Sequence, residues 1–414
     1  MKGNERMNMK DNKKQMSLIS HNNKREARFD SEFYHSWFNG DLPCAIPACR
    51  PGFWSKTIEI WEKEGHLAFG QDPCDKVGLD AQLMADYSCP IFLGLAPAFD
   101  VEIFEQDDNY VVFQDDTGVV QKALLDDFKK TKGHFENAGM ANSMSHWLKH
   151  PVKDIHSWKI IYEQRFCPNM EKRLSSEWRE KLKRIDKNTV QILEKGEVGN
   201  CPFLGTYGML RHLIGAEPLM YMFYDNPELI RIILSDMLKF WVTLWGSFFA
   251  KYGSVVRRVH FFEDMCYKVG PLISPDIFKE FLSPIYTELI GFFKQNGVSV
   301  LSVDSDGNAM TLIPELLKCG VNMFLPLEVQ SGMDAAKCRE AFPELFLFGG
   351  IDKRVLSQGP VEIDEELERR FITAYKKGRY WPMLDHSIPP IPWENWAYFA
   401  KQYKQHCSRL RDDI

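Results

Sequence analysis

Short apolar runs recur through the second half of the chain, and segments with helical periodicity separate them. The runs are RRVHFF (257–262), VSVLSV (298–303), VNMFLPL (321–327), LFLFGG (345–350) and YWPML (380–384). Parallel strands must be joined by crossover connections, which are usually helices. Strand and helix alternating in this way therefore indicate consecutive βαβ units around a parallel sheet.

Three further strands are predicted near residues 44–48, 89–95 and 201–206, which brings the total to eight. Eight βα units favour an α/β fold closed into a (β/α)₈ TIM barrel. A doubly wound sheet is the alternative, because it uses the same βαβ units without closing.

The barrel is predicted to form one domain over residues 29–414, since no Pro-, Gly- or Ser-rich linker divides the chain. Residues 1–28 are predicted to be a disordered or frayed polar tail. The first half adds helices, one of them over 53–64, and a β-hairpin insertion at about 100–125 with an Asp- and Gly-rich turn.

The amino-acid composition limits the binding partners and the cellular compartment that we expect for this protein. The 414 residues carry a net charge of −6 and contain no basic run, so a nucleic-acid partner is not expected. Ten scattered cysteines without a C-x-x-C motif are typical of a reduced protein. With no secretory signal and no stretch of 18 apolar residues, we expect a cytoplasmic protein that does not enter a membrane. The oligomeric state stays open.

Acidic residues follow each of the five late strands. They are Glu263, Asp264, Asp304, Asp306, Glu328, Asp352 and Asp385. In a barrel these strand ends converge on one mouth, where catalysis takes place. A single Asp after a strand commonly caps the next helix. Several converging carboxylates repel one another and need a cation, a basic substrate or shared protons, so the series predicts an active site.

Asp304 and Asp306 leave one strand two residues apart, and His386 follows the last strand. Together they form a candidate site for a divalent metal, with an open position for substrate. Two carboxylates and an imidazole suit zinc, manganese or ferrous iron. Alternatively, the two Asp side chains bind loop amides or a polar substrate, and His386 is a general acid.

The remaining candidates are divided by the chemistry of their side chains. The predicted catalytic residues, which orient substrate or transfer protons, are Glu263, Asp264, Glu328, Asp352 and Asp385. The predicted substrate-binding residues are Tyr267, Lys268, Asn308, Gln330 and Arg50. Lys268 either neutralises the acidic mouth or is solvated, and Arg50 either binds an anionic group or lies on the surface. His260, within a predicted strand, is interpreted as a core histidine.

Long, ordered motifs resemble the uroporphyrinogen decarboxylase superfamily. They are FFEDMCYKVGPLISPDIFKEFLSPIY (261–286), DSDGNAMTLIPELLKCGVN (304–322), LPLEVQSGMD (325–334), GGIDKRVL (349–356) and LDHSIPPIPWENW (384–396). The resemblance implies a (β/α)₈ barrel. It also implies one of two chemistries: decarboxylation of uroporphyrinogen without a cofactor, or zinc-dependent methyl transfer to or from a corrinoid protein.

The departures from the family patterns narrow these chemistries. The Arg-Gln-Ala-Gly-Arg motif of the true decarboxylases is absent, which argues against uroporphyrinogen as substrate. The methyltransferases have a His-x-Cys-Gly motif and a later Cys, where this chain has Asp304, Asp306 and His386. This divergent branch with Asp-x-Asp in place of His-x-Cys has lost its thiolates, which leaves the metal open between zinc and a harder transition metal.

The first hypothesis is therefore a methyltransferase that moves a methyl group from a small O- or N-methylated substrate to a corrinoid. The corrinoid is expected on a partner protein, since the chain lacks the Asp-x-His-x-x-Gly motif. One alternative is a cofactor-independent decarboxylase or lyase that acts on a smaller substrate. Another is a catalytically silent binding protein.

Overall fold

A computed structural model describes residues 31–80, 90–141, 143–183, 205–254, 256 and 258–408; the predicted tail at 1–28 lies outside them. The strands are Glu102–Gln106 (β1), Tyr110–Gln114 (β2), Val120–Leu124 (β3), His146–Lys149 (β4), Arg258–Phe262 (β5), Cys266–Tyr267 (β6), Gly270–Pro271 (β7), Val300–Asp304 (β8), Met323–Leu327 (β9), Phe346–Ile351 (β10) and Tyr380–Leu384 (β11). The helices of the first half are Ser31–Phe38 (α1), Ser55–Lys63 (α2), Pro73–Val77 (α3), Leu125–Thr131 (α4), Ile155–Arg165 (α5), Met170–Arg173 (α6) and Ser176–Lys183 (α7). Those of the second half are Thr206–Ile214 (α8), Ala216–Asp225 (α9), Pro227–Tyr252 (α10), Pro275–Ile277 (α11), Ser283–Gln295 (α12), Ile313–Cys319 (α13), Ala335–Ala341 (α14), Pro360–Lys377 (α15) and Trp393–Ser408 (α16).

The second half forms a parallel sheet of five strands in the order β11-β10-β9-β8-β5. This confirms the five strands predicted there. Neighbouring residues alternate between two apolar cores, as the pleat of a strand requires. Val300 and Met323 belong to one core, whereas Leu301 and Phe324 belong to the other. The strands are buried on both faces, which is typical of parallel sheets covered by helices.

Two of the three additional strands, those near 44–48 and 89–95, were predicted wrongly among the described residues, and most of the third lies outside them. Residues 44–48 form no strand and are held by isolated contacts, such as the hydrogen bonds from Ile46 N to Cys407 O and from Trp381 Nε1 to Pro47 O. Pro47 in this stretch, and Pro43 directly before it, cannot donate to a ladder. Residues 90–95 contribute only an isolated bridge at Ile91. Residues 201–204 lie outside the described part, and helix α8 begins at residue 206.

The predicted hairpin is confirmed and belongs to a larger unit. Strands β2 and β3 pair antiparallel within a four-stranded sheet of order β1-β2-β3-β4. Helix α2 lies within the predicted range 53–64. The additions to the parallel sheet are therefore a small antiparallel sheet and several short helices.

Helix α10 is the one helix of the described residues that is long and apolar enough to cross a membrane. Most of its large apolar side chains are buried, including Trp241 and Trp245, and they pack within the first core. A helix buried in this way by protein contacts has the character of a core helix in a soluble protein.

Helix α8 is fastened to the hairpin through a buried histidine. The His212 Nε2 atom lies 2.8 Å from Thr117 Oγ1, and Thr117 Oγ1 donates to Asp115 Oδ1 at 2.7 Å. Because the Thr117 hydroxyl donates its single proton to Asp115, His212 Nε2 must be the donor in the hydrogen bond between His212 and Thr117. Burial is the main cause that lowers the pKa of His212 to about 3.

The lowered pKa of His212 predicts a loss of stability in mild acid. Below its ordinary pKa of 6.5 the unfolded chain binds a proton that the folded chain binds only near pH 3. Between pH 7 and pH 5 this histidine should reduce the free energy of unfolding by about 2 kcal/mol. Urea unfolding of His212→Gln should show a correspondingly weaker pH dependence. The control His156→Gln, at an exposed position, should retain the wild-type profile; equal profiles for all three proteins would contradict this assignment.

Candidate active site

Three carboxylates meet at the carboxyl ends of β5 and β8. The two strands are in register, with Phe262 opposite Asp304. Asp264 and Asp306 each lie two residues beyond that pair, so they reach the same level. One carboxylate oxygen from each of Asp264, Asp304 and Asp306 lies within 4.8 Å of the others. We call these three residues the carboxylate cluster.

Asp264 has an unusual backbone conformation and a charged partner. Its φ angle is +45°, in the left-handed region that residues other than glycine rarely adopt. Its Oδ2 atom accepts a hydrogen bond of 2.7 Å from Arg211 Nη2. Burial, together with the charge of Asp306, raises the pKa of Asp264 although Arg211 opposes the shift. Strained backbone of this kind is concentrated at functional sites.

Asp304 is the cluster member that points into the sheet. Burial, and then the neighbouring charges of Asp264 and Asp306, raise the pKa of Asp304 well above its ordinary value. The Oδ2 atom of Asp304 lies 3.4 Å from Nε2 of His260. His260 is buried, as expected for a core histidine, but this contact also joins it to the cluster.

Asp306 and His386 form the solvent side of the site. His386 Nε2 lies 3.4 Å from Asp306 Oδ2, and their side chains are 40% and 44% exposed. The contact with Asp306 is the main cause that raises the pKa of His386. Two of the predicted metal ligands, Asp304 and Asp306, therefore lie together with Asp264, whereas His386 contacts Asp306 at the edge of the cluster.

Glu263 lies next to the cluster but is fully buried. Its carboxylate accepts hydrogen bonds from Thr206 N at 2.7 Å and Gly208 N at 2.8 Å, and also from the hydroxyls of Thr206 and Tyr286. Burial raises the pKa of Glu263 although these donors oppose the shift. The side chain predicted to be catalytic thus joins β5 to the beginning of α8.

Helix α8 approaches β5 closely because Gly208 in its first turn and the N-cap residue Gly205 lack side chains. A Cβ atom on Gly205 or Gly208 would lie 2.2 Å from Phe262 O, which no real side chain tolerates. The close approach lets the N–H groups of α8 reach Glu263, and it carries Arg211 to Asp264. The sequence interpretation missed this contribution of α8, since it read residues 201–206 as a strand; the two glycines were the available signal.

Two of the other predicted catalytic acids hold the loops of the mouth. Glu328 Oε2 accepts hydrogen bonds from Gly307 N at 2.7 Å and Ser331 Oγ at 2.9 Å. Buried Asp385 accepts from Val329 N at 3.1 Å and Lys353 N at 3.2 Å, and burial raises its pKa. Both residues therefore shape the loops that surround the cluster.

Asp352 binds Arg354 in the turn after β10 and does not belong to the carboxylate cluster. It caps the following turn through Arg354 N at 3.0 Å and forms an ion pair of 2.6 Å with the Arg354 guanidinium. Hydrogen bonds from Arg354 outweigh the effect of burial and lower the pKa of Asp352. These contacts fit the helix-capping alternative rather than a place in the cluster.

The predicted substrate-binding residues fall at different places. Tyr267 is exposed at the end of β6, Lys268 is exposed on the turn that follows it, and Gln330 is exposed beyond β9. Asn308 donates from Nδ2 to Ser331 O at 2.9 Å, so it holds a loop. Arg50 forms ion pairs of 2.7 and 2.9 Å with two acids of the α3 region, Asp72 and Asp75.

The contacts of Glu263 predict that its replacement destabilises the fold. In Glu263→Gln, an amide N–H₂ group would replace one acceptor and face N–H or O–H donors. The variant should lose about 1–3 kcal/mol of the free energy of unfolding in chemical denaturation. Glu217→Gln, at an exposed position of α9, is the control. Full stability combined with lost activity would instead identify Glu263 as a catalytic group.

The comparisons with known proteins agree with this architecture. The family model for uroporphyrinogen decarboxylase (URO-D) matches residues 189–406, just over half of the chain. A methyltransferase from Methanosarcina mazei is similar in structure, with a TM-score of 0.52 and 15% sequence identity. That match covers 91% of this chain and 98% of the methyltransferase. No curated protein matches the sequence.

At 15% sequence identity, the structural match indicates the fold and nothing more specific. Together with the family match it establishes the fold class as α/β, a TIM barrel, to which the five parallel strands belong. The carboxylate cluster then lies where such barrels place their active sites, at the carboxyl ends of the strands. On this combined ground the chain belongs to the uroporphyrinogen decarboxylase family.

Proposed function

We propose that this chain is a methyltransferase that moves a methyl group from a small O- or N-methylated compound to a corrinoid on a separate protein. The observation that carries the proposal is the carboxylate cluster of Asp264, Asp304 and Asp306. Similarity to a methyltransferase supports it at the level of the fold. The described cysteines are free thiols, which suits the reducing cytoplasm.

The donor set of the cluster fits a divalent cation. Oxygens bound to opposite sides of one ion are about 4–5 Å apart, given typical metal–oxygen distances. The cluster oxygens meet this limit, since all lie within 4.8 Å of one another. Carboxylates and an imidazole without thiolates favour manganese, ferrous iron or another hard ion. Asp304 and Asp306 would hold the ion, with His386 or Asp264 as third ligand.

A bound ion would supply Lewis-acid polarisation of the oxygen or nitrogen that loses the methyl group. The remaining tasks fall to the side chains of the chain itself. Arg211 fixes Asp264 at 2.7 Å, which directs this carboxylate towards the mouth. His386 is the exposed basic group of the site and can deliver a proton to the leaving atom when it is not a ligand.

A second candidate function is decarboxylation without a cofactor. The pairing of His386 with Asp306 at 3.4 Å favours it, because an imidazole held by a carboxylate can protonate the carbon that loses CO₂. The two functions differ in their need for a metal and for a corrinoid partner. Metal-free protein that releases CO₂ from a small carboxylic acid would favour this alternative.

The metal proposal predicts that one cluster residue controls both ion content and activity. Protein purified without chelators should contain about one equivalent of a transition metal by mass spectrometry, as a single three-ligand site implies. Asp306→Ala should lose the metal and the methyl transfer together.

Asp352→Asn is the matched control, because it changes an acid at another strand end and keeps a capping side chain. This variant should retain the metal. Full metal content in Asp306→Ala would sink the ligand assignment. A wild-type protein that stays metal-free after incubation with zinc, manganese and iron would reject the metal-assisted reaction itself.

A further inference from the structure

A row of buried polar side chains leads from the interior of the sheet to the carboxylate cluster. It consists of Arg258 and His260 on β5, Ser302 on β8, and Asp304 at the end of β8. The first three are at most 5% exposed. The register of the two strands pairs His260 with Ser302. Buried polar groups are nearly always hydrogen-bonded. The donors and acceptors in this row therefore indicate which ring nitrogen of His260 carries the proton.

The donors of the row run in one direction. The Arg258 guanidinium has no acceptor, so it must donate. Its Nε donates to Ser302 Oγ at 3.2 Å, and its Nη2 lies 3.4 Å from His260 Nδ1. Ser302 Oγ lies 2.8 Å from the same Nδ1 atom and also donates to Val259 O at 3.2 Å, so its contact does not fix the ring proton. Because Arg258 Nη2 can only donate, it is this guanidinium that makes Nδ1 of His260 an acceptor and leaves the ring proton on Nε2.

The protonated Nε2 atom of His260 faces the cluster. It lies 3.4 Å from Asp304 Oδ2, an ion-pair contact rather than a close hydrogen bond. The ring is held in place because it is 2% exposed and its other nitrogen is occupied. Asp304, in contrast, is pushed by two neighbouring carboxylates, those of Asp264 and Asp306.

We propose that His260 is a positioning residue, whose Nε2–H group holds the Asp304 carboxylate in the orientation that binds a divalent cation. This inference rests on the metal site of the proposed function. Arg258 fixes the tautomer of His260, and His260 in turn fixes Asp304. Groups that orient metal ligands in this way typically change metal affinity by about 10–100-fold when they are replaced.

The test measures the affinity of the full-length protein for Mn²⁺ alone, by electron paramagnetic resonance of the free ion. His260→Leu keeps a similar volume but removes the N–H group, and Mn²⁺ should bind about 10–100-fold more weakly. His260→Gln restores an N–H donor and should recover most of the affinity. Ser302→Ala should also weaken binding, because it removes a link of the row with little change in volume.

His212→Gln serves as the control for a buried histidine that contacts the hairpin instead of the cluster, and its Mn²⁺ affinity should equal that of the wild type. Wild-type affinity in both His260→Leu and Ser302→Ala would overturn the positioning role and leave the metal site intact. Equal losses in His260→Leu and His260→Gln would show that the N–H group is not the cause, which also overturns it. No Mn²⁺ binding by the wild type would reject the metal site, and this inference with it.

Discussion

The buried carboxylate of Glu263 determines how the mouth of the sheet is assembled. Removing a carboxylate from water is costly unless donors replace the solvent. Here α8 provides three of those donors and Tyr286 of α12 provides the fourth. The helix can supply them only because Gly205 and Gly208 allow it to lie against Phe262. One buried charge thus fixes α8 on β5, and the same helix carries Arg211 to the active site.

The second constraint is repulsion among acids that the parallel register forces together. Each member of the carboxylate cluster has one basic partner, and each partner arrives from a different side. Arg211 approaches Asp264 from α8, His260 approaches Asp304 from within the sheet, and His386 approaches Asp306 from the exposed rim. Arg211 carries a permanent charge, whereas the two histidines do not. Three acids with one permanent cation need shared protons, a metal ion or a cationic group of a substrate, and the raised pKa values of Asp264 and Asp304 are the expected result of this repulsion and of burial.

The local hydrophobic pattern was sufficient to predict the five late strands. The common direction of parallel strands was sufficient to predict that the acids following them gather at one edge of the sheet. Neither was sufficient to separate the roles of these acids. Glu263, Asp304 and Asp352 share the same signature of an acid after an apolar run, yet one binds α8, one belongs to the cluster and one caps a turn. These outcomes depend on distant partners. The early strands failed for a related reason, since prolines and long-range contacts replace the ladder there.

The basic partners also suggest how the three carboxylates divide their work. A cation at the cluster would compete with Arg211 for Asp264, and Arg211 already holds that carboxylate at 2.7 Å. Asp304 and Asp306 have partners at 3.4 Å, and these partners are imidazoles, which need not be charged. A divalent ion would therefore displace less interaction energy at Asp304 and Asp306 than at Asp264. Asp264, whose charge is already shared with Arg211, would then be the weakest of the three carboxylate ligands.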